Sequence, residues 1–256
     1  MLNIPGLNNF SKYFKDFNDQ YVLIGGTACS ILYDDVGLDF RATKDLDIVL
    51  IVEALTPAFG EKFWQYVNAG QYEKYISNDG TVHFYRFKKP KTQGYPKMIE
   101  LFSRAPQNCT LPEDDTFTKI PFGEAVSSLS AILLNESYYN FLRNGKKTIN
   151  EYSVLGAEYI IPFKIKAWLD LSNRSTQGEH VDSNDIKKHK NDVFRLARIC
   201  IPNSRIKVNT EIMDDINSFI SAMKQDDSID NTLQNCGIEM TKQQVLELLQ
   251  SIYTLS

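Results

Sequence analysis

The chain lacks the cysteine and histidine patterns that a disulfide framework or a structural zinc site would need. Its four cysteines, Cys29, Cys109, Cys200 and Cys236, are far apart and form no CxxC pair, and there are only three histidines. Zinc sites use closely spaced ligands, and disulfide-stapled domains use many cysteines. We therefore expect reduced thiols in a reducing compartment, the cytoplasm.

Long apolar runs are also missing. None approaches the ~20 residues of a membrane-spanning helix, and the first residues lack the basic flank and apolar core of a signal peptide. The formal net charge of −4 argues against a protein that coats nucleic acid, which would need a broad basic surface. With 256 residues, 43% apolar and 23% charged, the chain is typical of a soluble protein of one large or two modest domains.

What the sequence does contain is a short apolar run that stops at a pair of glycines. Tyr21–Ile24 is followed by Gly25-Gly26-Thr27, and a second apolar run begins in Asp45-Leu46-Asp47. The pattern predicts two strands joined by a short helix and a loop. Because glycine leaves the backbone N–H groups of the turn exposed, the turn can cradle a phosphate at a helix N-terminus.

The two aspartates begin the second strand. Side chains alternate along a strand, so Asp45 and Asp47 project from one face, about 6–7 Å apart. Two such carboxylates repel each other unless a cation lies between them. Mg²⁺ takes oxygen ligands of this kind and leaves positions open for phosphates and water. A phosphate loop beside paired aspartates predicts phosphoryl or nucleotidyl transfer from a metal-bound triphosphate.

The rest of the pattern predicts two domains. Strands over Thr81–Lys88 and Lys97–Phe102 join the first two in a mixed sheet of at least four strands, within residues 1–123. Residues 124–256 have helical periodicity, and the last helix opens with a capping box at Thr241–Gln244. The predicted class is α+β with an α/β core: a mixed sheet with flanking helices, then a C-terminal all-helical domain.

The pattern GGTA…R-x-T-x-D-L-D-I resembles that of the polymerase-beta-type nucleotidyltransferase superfamily. In detail it is similar to the AbiEii-like branch, the nucleotidyltransferase toxins of abortive-infection and toxin–antitoxin systems. The matching residues are Gly25, Gly26, Thr27, Arg41, Thr43, Asp45 and Asp47. The family often has Ser at the position of Gly26. The resemblance implies a polymerase-beta-type sheet, two Mg²⁺ ions held by Asp45 and Asp47, an NTP substrate and an antitoxin partner.

The resemblance also implies a third carboxylate on a later central strand. Glu100 is the candidate, because it lies in the otherwise apolar segment MIELF. Its implied role is metal ligation and activation of the attacking hydroxyl. The alternative, a glutamate on an edge strand that faces water, stays open.

A second match lies in the helical half, in YIIPFKIKAWLDLSNR and DIKKHKNDVFRLARI. Lys166, Asp170 and Arg174 are spaced by four and share a helix face, as do Lys188 and Asp192. The resemblance places Lys166, Lys188 and Asp192 at the nucleotide, in a cleft between the two domains. The phosphate-binding set is completed by Gly25, Gly26, Thr27 and Thr43. The alternative is a solvated helix face held by pairs four residues apart.

The predicted function is Mg²⁺-dependent transfer of a nucleoside monophosphate from an NTP to a hydroxyl acceptor. The sequence leaves open whether that acceptor is RNA, a protein or a small molecule such as an antibiotic. A rival hypothesis is an interaction module that binds an NTP and transfers nothing. Gly26 and His189 depart from the family pattern, which often has Ser and Asp at these two positions. No membrane partner is expected.

Overall fold

A computed structural model of the chain describes residues 4–51, 53–76, 82–102, 132 and 135–256. The chain divides into two compact units. The first comprises Met1–Ala125 together with Lys146–Leu155, and the second comprises Val126–Gly145 together with Gly156–Ser256. The predicted boundary after residue 123 lies outside the described residues.

Seven strands form one mixed sheet in the described part of the first unit. In spatial order they are β3 (Glu73–Ile76), β4 (Val82–Lys88), β5 (Met98–Phe102), β2 (Asp45–Leu50), β1 (Tyr21–Ile24), β7 (Tyr152–Leu155) and β6 (Lys146–Ile149). Two neighbouring pairs are parallel, β2 with β5 and β1 with β7, and the other pairs are antiparallel. The mixed sheet with flanking helices confirms the predicted fold class.

Three α-helices belong to the described part of this unit. They are α1 (Leu7–Phe14), continued by a 3₁₀ turn (Lys15–Phe17), α2 (Gly25–Asp35) and α3 (Pro57–Ala69). The helix α3 begins at Pro57 because Thr56 caps it. The Thr56 side chain accepts a hydrogen bond from the Phe59 N–H, and Pro57 fills the first helical position.

One face of the sheet is buried under aromatic rings from α1 and α3. The ring of Phe14 contacts those of Phe59 and Phe63, and Phe63 reaches Phe87 of β4 at a centroid distance of 5.6 Å. The strand residues on this face are apolar and buried: Leu46, Ile48, Phe87, Ile99 and Leu101. Because side chains alternate along a strand, the residues between them project from the opposite, less buried face.

The second unit is mostly helical. Its helices are α4 (Glu136–Asn144), α5 (Ala157–Thr176), α6 (Ser183–Arg198), α7 (Thr210–Gln225), α8 (Ile229–Asn235) and α9 (Lys242–Ile252). Ring contacts of Phe219 with Trp168 and Phe194 join α7 to α5 and α6. The capping box predicted at Thr241 and Gln244 is confirmed, with both reciprocal hydrogen bonds present.

The structure differs from the predicted all-helical second half in two places. The hairpin β6–β7 belongs to the sheet of the first unit. In the second unit, β8 (Ile206–Val208) pairs in parallel with β9 (Tyr253–Leu255). Across the part of the chain that the structure describes, no helix has both the length and the apolar character required to cross a membrane.

Candidate functional site

The glycine pair forms the turn between β1 and α2, and its first member has a conformation that favours glycine. Gly25 has a φ of 62°, which side chains of L residues rarely adopt. The pairing of β1 with β2 sets Ile24 opposite Asp47. A methyl group added at Gly25 would overlap the Asp47 carboxylate. Both the backbone conformation and the available space therefore require glycine here.

This turn is also the N-terminus of an 11-residue helix. The N-cap residue, Ile24, has an apolar side chain that cannot accept hydrogen bonds from the first-turn N–H groups. The positive end of the helix dipole lies at the same place. The backbone N–H groups of Gly25, Gly26 and Thr27 thus offer an anion the donors that phosphates find at helix N-termini.

The two threonines of the motif have different environments. Thr27 is fully buried, and its hydroxyl donates a hydrogen bond of 2.6 Å to the backbone carbonyl of Asp45. This bond ties α2 to β2, so only the backbone of Thr27 is left for a phosphate. A methyl group added at Gly26 would come within 2.6 Å of Thr43 Oγ1. The Thr43 hydroxyl therefore fills the space that any side chain at position 26 would need.

The structure brings the three predicted carboxylates to one face of the sheet. Asp45 and Asp47 alternate along β2, and β5 pairs in parallel with β2 so that Glu100 lies directly beside Asp47. All three residues are half-buried. Glu100 lies on a central strand, between β4 and β2, so the edge-strand alternative is excluded. Within the described ranges, however, no group of three or more acidic, histidine or cysteine side chains is arranged to hold a metal ion.

A basic residue that the sequence analysis did not select completes this face. Arg86 of β4 lies directly opposite Glu100 of β5, and its Nε forms an ion pair with Glu100 Oε1. Asp47, Glu100 and Arg86 therefore form one row across three neighbouring strands. The sequence contained a signal for this position. Side chains alternate between the two faces along β4, so Arg86 projects from the face opposite the buried Phe87.

In the second unit, Lys166 is held in a polar network. Its Nζ lies 3.3 Å from Asp215 Oδ1, while the Tyr138 hydroxyl donates a 2.8 Å hydrogen bond to Asp215 Oδ2. Burial raises the pKa of Asp170, an effect that the charge of Lys166 opposes. Burial, followed by the charge of Asp215, raises the pKa of the Tyr138 hydroxyl. Tyr138 therefore donates as a neutral phenol.

Asp192 is not where the sequence analysis placed it. The sequence analysis placed Lys188 and Asp192 on one helix face, but Lys188 is exposed and Asp192 has no exposed surface. The Asp192 carboxylate instead binds Lys164 Nζ at 3.0 Å and Arg195 Nη1 at 3.5 Å. We therefore assign Asp192 a structural role between α5 and α6, in place of the predicted contact with a nucleotide.

The solved structures to which this chain is similar include the following one. It is an antigenic nucleotidyltransferase-like protein from Paracoccidioides brasiliensis, 14% identical, with a TM-score of 0.45 over 90% of this chain and 94% of that chain. This similarity concerns the path of the chain alone. Neither a described protein family nor a curated protein sequence matches the chain. The site is therefore interpreted from its own geometry.

Proposed function

We propose that this protein transfers a nucleoside monophosphate from an NTP to a hydroxyl acceptor. The observation that carries the proposal is the juxtaposition of a glycine turn with paired aspartates. Gly25 opens α2 directly against the Asp47 carboxylate, and Asp45 projects from the same face of β2. A phosphate cradle and a carboxylate pair are the two parts that transfer from a metal-bound triphosphate requires.

The residues present fit Mg²⁺ in their chemistry. Carboxylate oxygens are its preferred protein ligands, and the Asp47 carboxylate occupies the place that a Cβ at Gly25 would take, directly beside the first turn of α2. Asp45 and Asp47 would hold the ion, with Glu100 as the third ligand that the resemblance implies. When bound, Mg²⁺ neutralises the charge of the triphosphate and of the departing pyrophosphate.

In the proposed reaction the acceptor hydroxyl oxygen forms a bond to the α-phosphorus. The bond between that phosphorus and the oxygen of the leaving pyrophosphate breaks, and the hydroxyl proton passes to a carboxylate, for which Glu100 is the candidate. The first-turn N–H groups of α2 hold and orient the phosphates. Most of the acceleration then comes from positioning and charge stabilisation, because the protein forms no covalent bond.

The test is transfer itself. Purified protein is incubated with each α-labelled NTP, Mg²⁺ and either total cellular RNA or a protein lysate. We expect label on one macromolecular fraction and stoichiometric release of pyrophosphate. Label on RNA would also decide the acceptor class, and label on protein would direct attention to the toxin role that the resemblance implies. Pyrophosphate release without any labelled macromolecule would indicate a small-molecule acceptor.

One observation favours a second candidate, a module that binds an NTP without transferring it. Glu100, the proposed third ligand, is ion-paired with Arg86. If that pair persisted with nucleotide bound, the phosphates would be held but the acceptor would lack a base. Bound and unreacted NTP in the same incubation would support the module.

Replacement of Gly25 tests the phosphate turn. Gly25→Ala adds a methyl group that overlaps the Asp47 carboxylate and requires a φ of 62° from an alanine. We expect the affinity for NTP to fall about tenfold to thirtyfold, as measured by calorimetry. Gly37→Ala is the matched control, because Gly37 also has a positive φ, 73°, but has open space around its Cβ position. Equal NTP affinities for the two variants would contradict the assigned turn.

Replacement of Lys166 tests the charge that the resemblance assigns to the second unit. Lys166→Ala removes a partly buried ammonium group, and we expect NTP binding to weaken about tenfold, or about 1.4 kcal/mol. Lys190→Ala is the control, because Lys190 forms a comparable pair with Asp226 at 2.8 Å. Lys164, although closer in sequence, is unsuitable because it is buried and paired with Asp192. Unchanged NTP binding by Lys166→Ala would remove this residue from the proposed site.

A further inference from the structure

The row Arg86–Glu100–Asp47 combines one cation with two anions on neighbouring strands. Glu100 lies between the other two, paired in register with Asp47 on one side and with Arg86 on the other. Its carboxylate forms an ion pair with the Arg86 guanidinium. The carboxylate that the proposed reaction assigns to a metal ion is therefore already neutralised by a side chain of the protein.

The two partners of this pair differ in exposure. The side chain of Glu100 is 17% exposed, whereas that of Arg86 is 44% exposed. An ion pair with one half-exposed member is weak, because water and salt compete with it. The guanidinium can therefore leave Glu100 without becoming a buried, unpaired charge. Its fork of N–H donors also fits phosphate oxygens in a bidentate manner.

We propose that Arg86 exchanges partners during nucleotide binding. In the metal-free protein it neutralises Glu100 beside Asp47 and so reduces the repulsion among the three carboxylates. When a divalent cation binds Glu100, the guanidinium is released and binds the phosphate chain of the incoming nucleotide. Arg86 is then a further substrate-binding residue. This inference rests on the proposed function, because it takes the carboxylate face as the site of a metal-bound triphosphate.

The exchange predicts that one substitution, Arg86→Gln, raises the affinity for Mg²⁺ and lowers the affinity for a phosphate chain. Arg86→Gln removes the cation that competes for Glu100, so Mg²⁺ alone should bind about threefold to tenfold more tightly. The same change removes a phosphate ligand, so inorganic tripolyphosphate in the presence of saturating Mg²⁺ should bind about tenfold more weakly. Arg86→Lys keeps the charge without the fork, and should restore Mg²⁺ affinity to the wild-type value but tripolyphosphate affinity only in part.

Calorimetric titration of the full chain measures both affinities without reference to activity. Lys89→Gln is the control, because Lys89 pairs with Glu73 at 3.1 Å in an exposed ion pair next to β4. We expect that variant to bind Mg²⁺ and tripolyphosphate as the wild type does. In the Glu100→Gln background, Arg86→Gln should no longer increase Mg²⁺ affinity, because the carboxylate for which Arg86 and the cation compete is absent.

Three results would overturn the exchange. If the Arg86→Gln variant loses affinity for Mg²⁺ and for tripolyphosphate equally, the ion pair is merely structural. If neither affinity changes, Arg86 lies outside the site. Wild-type protein that binds neither ligand would overturn the exchange together with the proposed function. A fourth kind of result separates the two proposals. If the wild type binds both ligands, and Arg86→Gln binds Mg²⁺ more tightly and tripolyphosphate more weakly, the exchange is supported even where no nucleotide is transferred.

Discussion

Asp47→Asn is expected to reduce nucleotidyl transfer at least a hundredfold, and Asp45→Asn to do the same, while both variants stay folded. A neutral amide oxygen is a poor ligand for a hard cation, and its loss removes several kcal/mol of charge stabilisation from the transition state. The fold should persist because Asn matches Asp in size. Its side-chain oxygen can still lie beside the positive end of α2, where the Asp47 carboxylate meets Gly25.

The measurement is the initial rate of pyrophosphate release at saturating NTP and Mg²⁺. Asp39→Asn is the matched control, since Asp39 is an exposed acid in the loop between α2 and β2. That variant should retain the wild-type rate. Urea denaturation should give midpoints for the Asp45 and Asp47 variants equal to or slightly above the wild type, because one of two repelling charges is removed. A residual rate above about a tenth of the wild-type rate would falsify the metal assignment.

The core of the candidate site was predictable because its parts are local in sequence. The run Tyr21–Ile24 ends at two glycines, and the next apolar run opens with two aspartates. Because side chains two residues apart lie on the same face of a strand, Asp45 and Asp47 share a face independently of the remaining fold. The structure adds the antiparallel register that sets Ile24 opposite Asp47 and so brings the turn to the carboxylate. That register depends on pairing between strands, which periodicity does not contain.

The hairpin β6–β7 was missed because its strands are too short for periodicity to reveal. Each has four residues, and the turn between them contains Asn150 and Glu151 in place of the usual glycine. Asn150 nevertheless has a φ of 53°, a conformation that asparagine adopts more readily than most residues. An asparagine between KKTI and YSVL was therefore a usable turn signal.

Pairings between distant residues account for the other differences. On an isolated helix, Lys188 and Asp192 are neighbours, and the spacing of four predicts that they pair. In the folded unit, α6 turns Asp192 inward to Lys164, 28 residues earlier in the chain. The pair of Arg86 and Glu100 likewise depends on the order of strands in the sheet. Spacing within one element cannot reveal partners on another element.

The pair formed by Lys164 and Asp192 leads to the largest expected effect on stability. Asp192 is completely buried, and the side chain of Lys164 is only 9% exposed. Asp192→Ala leaves the ammonium group of Lys164 buried without its carboxylate partner. Breaking a buried ion pair in this way typically destabilises a protein by about 3–5 kcal/mol. We expect the free energy of unfolding, measured by urea denaturation, to fall by that amount. Arg174→Ala, which breaks the exposed pair with Glu179, should cost less than about 1 kcal/mol.

The double variant Lys164→Met/Asp192→Leu separates the value of the pair from the cost of breaking it. Two apolar side chains in the same space leave no buried charge, so this variant should be more stable than Asp192→Ala by several kcal/mol. Arg195, the second partner of Asp192, retains a side chain that is 21% exposed and can turn to water. A double variant as unstable as Asp192→Ala would show instead that the ion pair itself stabilises the contact between α5 and α6. Asp192→Ala with wild-type stability would mean that Lys164 reaches solvent once its partner is removed.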